Sequence, residues 1–170
     1  MAEETGLDLF YKHQVDSCFK TKSNFIISNG APSHAAALFA TMFRYAIRNV
    51  QIFSKCLKNE VFDDIELCEN FKNAIDRGVK VEIIIQDSSP DESKFLDTIK
   101  GIDKSDILYK SLKHNDLSCN FAIMDDSAYR YEPSRNEICA EACANDEENV
   151  KILQRNFEII KRNIVPICTL

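Results

Sequence analysis

Apolar and polar positions along the 170 residues fall alternately into helical and strand periods. Residues 5–20 carry Leu7, Leu9, Phe10, Val15, Cys18 and Phe19 at the spacing of an imperfect amphipathic helix. Phe25 to Ser28 makes a short strand, closed by Asn29-Gly30-Ala31-Pro32. Ser33 is the expected cap of a helix running to about Arg48, apolar nearly all round, which places it in the core or in a subunit interface. Val50 to Ser54 is a strand. Asp63, with Glu66 three residues on, predicts a capping box for a helix bearing Ile65, Cys68, Phe71 and Ile75 and ending at Gly78.

The β-branched run Val79 to Ile85 suits a strand covered on both faces. Ser89-Pro90-Asp91-Glu92 is a second expected capping box, with Pro at the first helical position and Gly101 as terminator. Ile107 to Tyr109 is a strand, and Ser118 to Met124 and Ala128 to Glu132 are two more around the turn Asp125-Asp126-Ser127. Ile138 to Ala144 follows as a strand. Asn145, with Glu148 three residues later, is the expected cap of a last helix through Val150, Leu153, Phe157, Ile160 and Ile164. Helices and strands in this order predict an α/β fold: a mixed β-sheet flanked by helices on both faces. The length suits a single domain, 1–170, in which residues 1–32 form an N-terminal helix and short strand.

Composition narrows the function classes. A formal net charge of −6 disfavours non-specific binding to nucleic acid or an anionic membrane. The densest basic stretch is Lys100, Lys104, Lys110, Lys113 and His114; with aspartates interspersed, it reads as a solvated surface. No apolar run reaches the ~18 residues that span a bilayer, and Met-Ala-Glu-Glu-Thr-Gly lacks the features of a signal peptide, so a cytoplasmic protein is expected. With four glycines, the chain holds no phosphate- or dinucleotide-binding glycine loop, and no cofactor is expected. The seven cysteines (18, 56, 68, 119, 139, 143 and 168) are expected to be buried structural thiols. Cys139 and Cys143 would share a strand face, but no second Cys/His pair matches them and no metal site is expected.

The hairpin carries the most specific signal. Residues 118–132, with the element order around them, resemble one repeat of the phospholipase D superfamily, whose signature strand is H-x-K-x-x-x-x-D. Asp125 fits the signature aspartate, but Ser118 stands at the histidine position and Asn120 at the lysine position. A register one residue later, on Asp126, places Cys119 and Phe121 there instead. The resemblance extends over residues 33–165, the expected phospholipase D-like core. It implies a histidine nucleophile and lysines that steady an anionic, pentacovalent transition state, and it implies that single-repeat members pair into homodimers. Serine without an adjacent base and an uncharged amide do not replace those groups.

Two readings of different class follow. In the first, the chain is a catalytically degenerate binding or regulatory subunit, homodimeric, with a protein partner in a larger complex as a further possibility. Its polar cluster would be Asn120, Asp125, Arg130, Glu132 and Asn145. Arg130 and Glu132 share a strand face and form a buried polar pair, a pocket lining together with Asp125 and Asn145, or a solvated face or cross-strand salt bridge holding the hairpin. Asn120, Arg130 and Glu132 are the candidate ligand-binding residues, with Arg130 receiving an anion. In the second, the chain is an unorthodox metal-independent phosphodiesterase or nuclease whose catalytic candidates are Asp125, His114 and Asn145, with His114 or a partner subunit supplying the missing groups. By analogy with the superfamily, either role would lie beside nucleic-acid processing or bacterial defence. His34, at the start of the apolar helix, reads as a core or capping residue, and Tyr129 and Tyr131 as half-buried packing residues.

Overall fold

The computed structural model describes residues 6–86, 93–102, 107–111, 119–133 and 139–163. Within them the strands join into one seven-stranded sheet of order β1-β7-β6-β5-β2-β3-β4. These strands are β1 (Ile27–Asn29), β2 (Asn49–Ser54), β3 (Lys80–Ile85), β4 (Ile107–Ser111), β5 (Asn120–Met124), β6 (Ala128–Glu132) and β7 (Ala140–Cys143). β2, β3 and β4 run parallel, and every other neighbouring pair is antiparallel, so the sheet is mixed.

The period-2 alternation of side chains divides the core into two layers. Val50, Ile52, Val81, Ile83, Ala122 and Ala142 point to one face, where they meet α1 (Gly6–Lys20), α2 (Pro32–Tyr45), α3 (Asn59–Phe62), α4 (Ile65–Asp76) and α5 (Lys94–Lys100). Phe53, Ile84, Phe121, Ile123 and Tyr129 point to the other, covered by Val150, Leu153, Phe157 and Ile160 of α6 (Glu147–Arg162). The expected helix-flanked mixed sheet is the observed one. The apolar α2 lies wholly within this core: every residue from Ala35 to Phe43 is buried. Arg77, after α4, fastens its far end by donating from Nη2 to the Phe43 carbonyl at 2.7 Å.

Several local expectations are corrected. α2 starts at Pro32 after Ala31, whose side chain caps nothing; proline needs no N–H partner at a first helical position, and Ser33 instead donates to Asp8 on α1 at 2.9 Å. The cap of α4 is Asp64, which accepts from the Leu67 N–H. That of α6 is Asp146, which accepts from the Asn149 N–H, in place of Asn145. α5 is capped by Ser93, while Ser89 to Glu92 lie outside the described residues. α1 buries Tyr11, Val15 and Phe19, one face at i, i+4, i+8, and leaves Leu7, Leu9 and Phe10 exposed. The four-residue α3 has no counterpart in the sequence pattern, being too short to show a period. Gly78 ends α4 with φ of +85°, a left-handed conformation that glycine adopts freely.

Of the described cysteines, Cys143 is buried, Cys18, Cys56, Cys68 and Cys119 are half-buried, and Cys139 is exposed. Because β7 begins at Ala140, Cys139 precedes the strand and lies at the rim of a cavity on the α2 side, whereas Cys143 packs under α6. They do not share a face.

Candidate ligand-binding cavity

The strand period sends Asn120, Arg130 and Glu132 to the α2 face of the sheet, at the end where β5 begins and β6 finishes. Asn120 and Glu132 are direct cross-strand partners. There α2 and α3 do not close fully on the strands, and a cavity of about 310 Å³ remains. Its apolar wall includes Phe39 and Phe62, and its polar residues include Asn29, Asn120, Arg130 and Glu132. Phe53 and Phe121 border it from strands whose side chains at these positions point to the α6 face.

Arg130 dominates the buried end. It is 6% exposed, and its Nη2 donates to Glu132 Oε2 at 3.1 Å. Its guanidinium carbon lies 5.4 Å from the centre of the Phe39 ring, within cation–π range. Burial pulls the guanidinium pKa below the usual arginine value, and the Glu132 carboxylate acts in the opposite sense. Among the described residues, Arg130 Nε and Asn29 Nδ2, the latter on a residue 2% exposed, have no acceptor. An unpaired buried donor costs about 1–3 kcal/mol. Asn120 is fixed by accepting the Lys55 N–H at Oδ1, 2.8 Å. Lys55, Lys58 and Glu60 form an exposed rim, in which Lys58 and Glu60 approach to 3.9 Å.

No family model matches the sequence, and no curated protein matches it. Solved structures do resemble the fold. Nuc from Salmonella typhimurium, a phospholipase D family member, superposes with a TM-score of 0.59 at 13% identity, over 81% of this chain and 94% of that one. NucT from Helicobacter pylori gives 0.55 at 17% identity, over 83% and 99%. The chain has a phospholipase D-like fold. TrmBL2, an archaeal chromatin protein whose structure shows a novel mode of DNA binding, matches at a TM-score of 0.59 and 12% identity; 92% of this chain is covered, and it spans 59% of that chain.

Within the phospholipase D-like fold, the polar residues expected to cluster divide between the two ends of the sheet. Asn120, Arg130 and Glu132 meet at the cavity. Asp125 and Asn145 lie at the opposite end of the β5–β6–β7 meander, about 16 Å away at the rise of a strand. The backbone does the separating, since Asp125 follows the last residue of β5 and Asn120 is its first. Asp125 is 8% exposed, with φ of +53°. Its carboxylate accepts three backbone N–H groups: Ile47 at 3.1 Å, Arg48 at 2.8 Å and Asn49 at 3.0 Å. These bonds fix the corner between α2 and β2.

Asn145 lies in the turn between β7 and α6, next to Asp146, whose N–H bonds the Ser127 carbonyl at 2.6 Å. Ser118 and His114 lie outside the described residues. His34 stacks on Tyr11 at 3.8 Å, across the α1–α2 contact. Tyr129 and Tyr131 pack on the α6 face, Tyr129 buried and Tyr131 half-buried.

Asn29 and Phe39 escaped the sequence reading. Asn29 looked like the start of a turn, because Gly30 follows it; its place in the cavity depends on β1 pairing with β7. Phe39 is one of many apolar residues on α2, and nothing local distinguishes it. Among the described residues, no three His, Cys, Asp or Glu side chains converge as a metal-ligand set, and no helix is long and apolar enough to cross a membrane.

Proposed function

We propose that this chain is a catalytically degenerate, phospholipase D-like binding or regulatory domain that takes a small polar ligand in the Arg130 cavity and works as a homodimer. The observation that carries the reading is Arg130 itself. A buried guanidinium whose Nε has no partner among the described residues stands beside Asn120, the residue at the family's lysine position. The fold's signature strand therefore enters the cavity with an amide in place of a charge, while an arginine from the neighbouring strand and an asparagine from β1 supply donors. Donors held ready for an acceptor fit binding; nothing in the described cavity offers a nucleophile with an adjacent base. What supports the dimer is the likeness to one phospholipase D-like repeat, which builds its paired site across a two-fold axis.

The test is a phosphodiesterase assay on the purified chain, with a nitrophenyl diester and with labelled single- and double-stranded DNA and RNA, in the presence of EDTA. No turnover on any substrate is the expected result. Turnover that disappears in His114→Ala would overturn the binding reading in favour of a metal-independent phosphodiesterase. Sedimentation equilibrium is expected to give a dimer.

A further inference from the structure

The lining of the cavity carries one more cation than it carries carboxylates. Lys55, Lys58 and Arg130 stand against Glu60 and Glu132, a positive surplus in a chain whose formal net charge is −6. Lys58 lies 3.9 Å from Glu60, and Arg130 donates to Glu132 at 3.1 Å. Lys55 adds the third cation at the rim, where its backbone N–H also holds Asn120. The Glu132 carboxylate does not offset the burial of Arg130, whose guanidinium stays below the usual arginine pKa. A further negative charge nearby would stabilise it.

The walls differ in kind. The sheet contributes Asn120, Arg130 and Glu132, whereas α2 and α3 contribute Phe39, Val61 and Phe62. Phe39 and Phe62 are 4.9 Å apart, and the guanidinium carbon of Arg130 lies 5.4 Å from the Phe39 ring centre. Charged and apolar surface are therefore within the length of one small molecule. The volume of about 310 Å³ is at the small end of ligand sites.

We propose that the cavity binds a small monocarboxylate with an apolar body, its carboxylate beside Arg130 and Lys55 and its body against Phe39 and Phe62. This rests on the reading of the cavity as a binding site and names the class of ligand. A single negative charge cancels the surplus. A phosphate monoester, at about −1.5 to −2 near neutral pH, overshoots it and would stand against Glu60 and Glu132. A phosphodiester also carries one charge, but in mid-molecule between two substituents. A carboxylate carries it at one end, which suits a cavity charged on one wall and apolar on the other. Its planar pair of oxygens also matches a guanidinium, a group with more N–H donors than the bond to Glu132 uses.

The experiment is calorimetric titration of the full chain with hexanoate, acetate, hexanamide, diethyl phosphate and inorganic phosphate. It is repeated on Lys55→Met and on the charge-neutral double variant Arg130→Met with Glu132→Gln. Hexanoate should bind at least about tenfold more tightly than hexanamide, which keeps the shape and loses the charge. It should exceed acetate by about tenfold or more, because its longer chain reaches the apolar wall. Lys55→Met should weaken hexanoate binding by up to about fivefold, as expected of an exposed cation. The double variant leaves no buried charge unpaired, so it should stay folded, and it should bind hexanoate no more tightly than hexanamide. Equal binding of hexanoate and hexanamide by the wild-type chain, or a preference for either phosphate, would overturn the carboxylate while leaving the cavity a binding site. No binding of any of these probes, or an undiminished hexanoate preference in the double variant, overturns it as well. Diester hydrolysis would instead remove the binding reading itself.

Discussion

Asp125 shows how a residue that fits a catalytic signature can be read from its surroundings. Its carboxylate is consumed by three backbone N–H groups from the α2–β2 corner, and its own backbone adopts the left-handed conformation that aspartate tolerates. Hydrogen bonds to a charged group contribute about 1.5–3 kcal/mol each and share one desolvation cost, so Asp125→Ala should destabilise the fold by about 2–4 kcal/mol. Urea unfolding measures this directly. The folded fraction should keep its full affinity for whatever occupies the cavity, because about five strand residues separate the two places. Loss of binding without loss of stability would place Asp125 in the ligand site after all. Arg130 is the converse case: its position two residues from Glu132 was plain in the sequence, but the face they share was not, because one step of hairpin register reverses it.

At the scale of elements, the helix and strand order was legible because each hydrophobic run has a definite period, and the sheet repeats it strand for strand. Boundaries and caps were less so. Two caps were expected one residue early, at Asp63 and Asn145, where neighbouring side chains of equal capping ability stand side by side. Tertiary contacts decide between them. Asp63 turns away from α4 and accepts from Ser93 Oγ at 2.8 Å and the Phe95 N–H at 3.1 Å, joining the start of α5 to the α3–α4 junction. Asp64→Ala should therefore cost about 1 kcal/mol and speed amide exchange in the first turn of α4, whereas Asp63→Ala should speed exchange at the start of α5. Identical effects of the two substitutions would contradict this division. The cavity was the least legible part, since it is assembled from β1, α2, β5 and β6, and no local pattern encodes which distant strands become neighbours.

For the whole molecule, the order of the sheet sets an order of events. The β5–β6–β7 meander forms from neighbouring segments, while β1 reaches its partner only by bringing the start of the described chain to Ala140–Ala142, near its end. Such a closure carries a large entropic cost and is rewarded by a strand of three residues at the sheet's edge. β1 should therefore be the least protected strand in native-state hydrogen exchange, with the Ile27–Asn29 amides exchanging faster than those of β2 and β3. Protection of β1 equal to that of the central strands would refute this ordering. Because β1 is also the strand that delivers Asn29 to the cavity, occupancy and docking are thermodynamically linked: a ligand that engages Asn29 acts as a clasp on the last segment to arrive. The chain would then report its ligand through the kinetic lifetime of one edge strand, without any change in the shape of the rest.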